Sequence, residues 1–83
     1  MIRISNNVSF GFVEDEVLIY LLPEKKYYSL QKTGAEIWKM IAYGLPIKEI
    51  ISQLESKYGK TAQVEDDIIE FIFFLKKEGL VNG

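Results

Sequence analysis

Two groups of residues in this 83-residue chain have the chemistry to act on something or to hold it. One is the acidic cluster Glu65, Asp66, Asp67 and Glu70, and the other is the apolar set interleaved with it and following it, Ile69, Phe73 and Phe74. Paired carboxylates work as general acid and base when a polar cavity drives their pKa values apart, and they hold a cation when their oxygens converge. Carboxylates adjacent in sequence on a helix instead splay around it, and no oxygen-rich loop accompanies these. The chain also has no histidine and no cysteine, which removes the commonest general base, the commonest metal ligand and any thiolate nucleophile or disulfide. The cluster is left with three uses: complementing a helix dipole, solvating a helix face, or attracting basic groups of a partner. Recognition, not catalysis, is the chemistry these residues suit.

The bulk composition bounds the rest. At 83 residues the chain is expected to form one domain, residues 1–83, near the small end of what folds alone. Five Phe, five Tyr and one Trp supply the large apolar surfaces that a core of this size needs. A formal charge of −2 disfavours nonspecific nucleic-acid binding, which depends on Lys and Arg displacing counterions from phosphate. The N-terminal residues lack the basic and then apolar regions of a signal peptide, and no apolar run approaches the roughly 20 residues that span a bilayer. A cytoplasmic protein that does not enter a membrane is the expectation.

The elements that must position these groups are legible from periodicity. Val8, Phe10 and Phe12 alternate with Ser9, Gly11 and Val13, which predicts a strand over Val8–Val13 with one buried face. After the turn Glu14-Asp15-Glu16, the apolar run Val17–Leu22 reads as a central strand. Pro23 breaks it, and Tyr27–Leu30 reads as a short third strand, on which Tyr28 and Leu30 face the helices while Tyr27 and Ser29 face away. Three helices follow. Thr33 and Glu36 have capping-box spacing, so the first helix is expected to begin near Gly34, to bury Ile37, Trp38 and Ile41, and to end at Gly44. Pro46 at the first position and Gly59 at the stop bracket the second, with Ile47, Ile50, Ile51, Leu54 and Tyr58 at helical spacing. Thr61 caps the third, which runs from acidic residues to Lys76 and Lys77 and stops at Gly79, with Leu80 folding back.

The third helix has more apolar residues than one buried face requires. Val64, Ile68, Phe71, Ile72 and Leu75 already form a contiguous stripe, leaving Ile69 and Phe73 on one flank and Phe74 on the other. Ile69 with Phe73 is expected to wall a groove, and Phe74 to meet a partner. The last strand of a meander is an edge whose unpaired N–H and C=O groups invite another strand, and its shortness and the adjacent Lys25 and Lys26 limit uncontrolled self-pairing.

These features together resemble the PqqD family. The resemblance is carried by Tyr28-Ser29-Leu30 before Thr33-Gly34, the pair Ile37-Trp38, Lys57-Tyr58-Gly59, Asp67-Ile68 followed by Phe71 and Leu75, and the closing Gly79-Leu80-Val81. Gln31 departs from the asparagine frequent there. The resemblance implies an α+β, winged-helix-like fold, a three-stranded antiparallel meander followed by three helices. It implies a noncatalytic protein, without cofactor or metal, that binds the leader segment of a ribosomally made precursor peptide as a fourth strand. The peptide site would comprise Lys26, Tyr27, Tyr28, Ser29 and Leu30 on the strand with Glu65, Asp66, Ile69, Glu70, Phe73 and Lys76 on the helix. The other partner implied is a maturation enzyme, whether a radical SAM enzyme, a cyclase or a leader protease. A winged-helix DNA-binding regulator is the alternative, and its recognition helix should open with Arg, Lys, Asn or Gln where this one opens with Glu65, Asp66 and Asp67.

Overall fold

The computed structural model describes residues 1–83 and contains the expected meander and three helices, an α+β arrangement, with one addition. Strands β1 (Arg3–Ile4), β2 (Val8–Val13), β3 (Glu16–Leu21) and β4 (Lys26–Leu30) precede helices α1 (Lys32–Ala42), α2 (Ile47–Tyr58) and α3 (Ala62–Lys77). A last strand, β5 (Val81–Asn82), closes the chain. β2, β3 and β4 form an antiparallel sheet in that order, so β4 is a sheet edge. β1 and β5 form a separate two-stranded ladder, pairing Arg3 with Asn82 and Ile4 with Val81. Sequence periodicity could not show that ladder, because two residues are too few to display a period.

Three helix ends follow the local chemistry of their residues and one does not. At the end of α3 the Leu80 amide donates to the Leu75 carbonyl at 2.9 Å and the Gly79 amide to Lys76 at 3.0 Å, a Schellman motif with Gly79 at φ +79. The α1 terminus repeats it with Gly44 and Leu45, which donate to Ile41 and Met40. The Thr61 hydroxyl caps α3 by accepting the Val64 amide at 3.2 Å. The capping box expected at Thr33 does not form. Helix α1 starts earlier, at Lys32 with φ +54 after an extended Gln31, so Thr33 is already inside the helix and cannot cap it. Glu36 turns instead to α2, accepting from Lys57 Nζ and from the Tyr58 hydroxyl, both at 2.6 Å.

The core lies between the sheet and the helices. Trp38 is fully buried among Val17, Ile19, Leu21, Ile37, Ile50, Leu54, Leu75 and Leu80, and the Phe10 ring meets it edge-on at 5.4 Å. The expected buried face of β2 is only partly covered: Phe10 and Phe12 remain 38% and 48% exposed, because β2 is the outer strand and α1 packs against β3. No helix is long and apolar enough to cross a membrane.

Gly79 offers a direct test of the α3 stop. A side chain in the left-handed region costs about 1 kcal/mol, so Gly79→Ala should lower the urea midpoint by that equivalent with an unchanged slope. A midpoint equal to that of wild type would show that Leu80 burial, not the glycine, ends the helix.

Candidate peptide-binding site

The functional question turns on which backbone groups of β4 are free. In an antiparallel sheet each residue points both its N–H and its C=O to the same neighbour, and successive residues alternate. The Leu22 amide donates to the Asn7 carbonyl at 3.0 Å, continuing the Val8–Leu21 register, so Asn7 and Leu22 form a hydrogen-bonded pair. Alternation then makes Ser9–Tyr20, Gly11–Leu18 and Val13–Glu16 bonded pairs, the last closing a two-residue hairpin with Glu14 at φ +57. Residues Val17, Ile19 and Leu21 must therefore bond across to Leu30, Tyr28 and Lys26. Tyr27 and Ser29 are left with their amides and carbonyls directed outward from the sheet edge.

Side chains sort along the same strand. Leu30 is buried, Tyr28 is half-buried toward the helices, and Tyr27 is 80% exposed on the opposite face, where its ring lies 4.5 Å from Tyr20. The Ser29 hydroxyl donates to Glu16, which holds the outer face of the edge in place. Tyr28 ties the strand to α3: its hydroxyl donates to Glu78 Oε1 at 2.6 Å and its ring meets Phe74 at 6.5 Å. That hydrogen bond, then burial, then the charges of Glu78 and Glu24, push the Tyr28 pKa from 10.0 to about 12.

Beside the C-terminal half of β4 lies a cavity of about 490 Å³, within the range of ligand pockets. Ser29, Leu30 and Gln31 form one side, and Val64, Asp67, Ile68 and Phe71 of α3 form the other. Thr33, Gly34 and Ile37 of α1 with Leu54 and Tyr58 of α2 make its floor and end. The absence of a side chain at Gly34 matters here, since an added Cβ would lie 3.2 Å from Phe71 Cζ. Tyr58, at the end of this cavity, donates to Glu36; the hydrogen bond from Lys57, then that from Tyr58, hold the Glu36 carboxyl below the usual range.

This geometry gathers some of the expected site residues and separates others. Lys26 to Leu30 form the edge as expected. Ile69, Phe73 and Lys76 do not reach it; with Ile47 and Ile72 they surround a smaller cavity of about 150 Å³ against α2. Glu65 faces α2 as well, beside Ile47 and Ile51. Asp66 and Glu70 are exposed and unpaired. Phe74 lies on the strand side, touching the rings of both Tyr28 and Phe71. The helix wall next to the edge is thus Val64, Asp67, Ile68, Phe71 and Phe74. Val64 and Phe71 continue the core stripe of α3 in sequence, yet both are only half-buried.

Tyr28 supplies a test of how firmly β4 is held to α3. A phenol whose folded pKa is raised contributes stability that is complete below pH 10 and lost as pH rises toward about 12. Ultraviolet titration should show one tyrosine ionising near pH 12, absent in Tyr28→Phe. That variant should be less stable than wild type by about 1 kcal/mol below pH 10, with the difference vanishing at the top of the window.

No curated protein matches the chain by sequence. Among solved structures, the chain is similar to TbiB1 in complex with the TbiA(beta) leader peptide, at 28% identity and a TM-score of 0.90 over 98% of this chain and 95% of that one. It also shares the fold of a lasso peptide synthetase B1 complexed with the leader peptide, at 18% identity and a TM-score of 0.82 over 99% and 98% of the two chains. Residues 18–81, from β3 through the Schellman stop, match the family described as Coenzyme PQQ synthesis protein D, and the chain belongs to this PqqD family.

Proposed function

We propose that this chain binds the leader segment of a ribosomally made precursor peptide as a fourth strand along β4 and presents it to a maturation enzyme, performing no chemistry of its own. The observation that carries the reading is the outward pair Tyr27 and Ser29, whose backbone groups have no partner in the sheet, with Ser29 lining an apolar cavity. Strand addition takes its affinity from such main-chain bonds and its specificity from pockets for alternate side chains. The likeness to TbiB1, which is complexed with a leader peptide, supports leader binding by this chain. A chain without histidine or cysteine suits tethering better than catalysis. Tethering would raise the effective concentration of the attached core peptide at an active site on another protein. The acidic opening of α3 argues against a DNA-reading helix, which would need cationic or amide side chains there.

The pairing parity makes the test sharp. A proline is tolerated at an edge where the lost N–H faces solvent and not where it faces the ladder. Tyr27→Pro and Ser29→Pro should keep a cooperative thermal transition yet lose affinity for a leader peptide that binds wild type, by about tenfold each. Tyr28→Pro and Leu30→Pro should unfold. Hydrogen exchange should show leader-induced protection at Tyr27 and Ser29 amides. Folded edge variants with wild-type affinity would remove strand addition from consideration.

The helix wall is tested separately. Phe71→Ala should weaken leader binding by about 2 kcal/mol, roughly thirtyfold, whereas Phe73→Ala should leave it nearly unchanged. Fluorescence anisotropy of a labelled leader reads both. The reverse ranking would move the peptide to the α2 side of α3.

A further inference from the structure

The groove between β4 and α3 carries a charge gradient along its length. Helix α3 lies beside β4 with its N-terminal half at the strand's C-terminal end: Asp67 and Phe71 share a cavity with Ser29 and Leu30, while Phe74 and Glu78 meet Tyr28. At 100° per residue Asp67, Glu70, Phe74 and Lys77 fall in one stripe, and the Phe74–Tyr28 contact turns that stripe toward the strand. The lip of the groove therefore passes from two carboxylates, through an aromatic, to an ammonium group. On the strand, Lys26 shares the helix-facing side with Tyr28 and Leu30 and stands beyond Tyr28, at the end where Lys77 lies.

None of these four charges is in an ion pair, since Lys57–Glu36 is the only salt bridge in the structure. Asp67 accepts a hydrogen bond from Gln63 at 2.8 Å, which leaves its charge intact. The opposing carboxylates at the basic end are Glu78, which keeps its charge while accepting from the Tyr28 hydroxyl, and Glu24; Lys25, Lys26 and Lys77 outnumber them there. The outer face of the sheet, by contrast, presents Tyr20, Tyr27, Leu18 and Ser9, with Glu16 bonded to Ser29, and cannot order a peptide by charge.

We infer that the groove reads direction: it selects an extended peptide with a basic residue against Asp67 and Glu70 and an acidic residue against Lys26 and Lys77, on either side of an apolar centre. A strand added antiparallel to β4, as the rest of the sheet pairs, has its N-terminal end beside Leu30. The selected peptide is therefore basic first and acidic last. This inference rests on the strand-addition reading and specifies the peptide chemistry that the edge accepts.

Selection of random dodecapeptides against the folded protein tests it whatever the sequence of the natural leader. Wild type should enrich peptides with Lys or Arg N-terminal to an apolar centre and Asp or Glu C-terminal to it. The variant Lys26→Glu/Asp67→Lys/Glu70→Lys/Lys77→Glu, which has the same net charge, should enrich the opposite order. Circular dichroism checks that it folds. Synthetic peptides from the wild-type pool should bind about tenfold more tightly than versions with the two charged ends exchanged, a gap that closes at high salt. Ser29→Pro should lose both pools. Enriched peptides that need Ser29 but show no charge order overturn the inference and leave strand addition standing. Peptides indifferent to Ser29→Pro, or no enrichment at all, overturn both.

Discussion

Strand β4 is hydrogen-bonded on one side only, and the arrangement of the rest of the chain follows from that constraint. An unpaired edge is a liability because its amides and carbonyls accept any extended segment. Here the edge is five residues long, is flanked by Lys25 and Lys26, and exposes only Tyr27 and Ser29 as outward backbone pairs. It is short enough to resist stacking of copies and long enough for one peptide. The helices do not cover it; they stand beside it, leaving free backbone on one side and apolar side chains on the other.

Holding that geometry requires the edge to be rigid from both faces. On the helix side, Leu30 is buried and the Tyr28 hydroxyl is bonded to Glu78 at the end of α3. On the outer face, Ser29 is bonded to Glu16 and Tyr27 packs on Tyr20. Helix α3 is fixed in turn by its Thr61 cap, its Schellman stop and the burial of Ile68, Ile72 and Leu75. A site whose two walls are each anchored loses less conformational freedom on binding, and that preorganisation favours affinity. At the floor of the cavity Gly34 brings no side chain against Phe71, whose ring tip an added Cβ would approach to 3.2 Å.

The structural relatives sharpen this picture. A TM-score of 0.90 to TbiB1 over nearly the whole of both chains, at 28% identity, means that the edge-and-groove geometry survives extensive change of side chains. Backbone pairing tolerates such change because it uses groups every residue has. On the proposed reading, selectivity would come from the cavity and from the charges along its lip, which are free to differ from one member of the fold to another.

Much of the fold was determined by local physics. The alternation over Val8–Val13 predicts β2 to the residue, Thr61 and Gly79 bracket α3, and Trp38 on an apolar helical face lies in the core. Each depends on a period, a cap or a stop within a few residues of chain. What tertiary structure decided was rotation and partnership. Helical periodicity separates Ile69 and Phe73 from Phe74, but which flank meets β4 depends on how α3 rolls against the sheet and α2, and packing turns Phe74 to the strand. Glu36, spaced to cap α1, pairs with Lys57 and Tyr58, more than twenty residues away, because a left-handed Lys32 moves the helix start upstream. The β1–β5 ladder joins the two ends of the chain. The outward pair on β4 was likewise undetermined by its own residues: it is set by the hairpin between Val13 and Glu16, whose closure fixes which residues of β3 face β4.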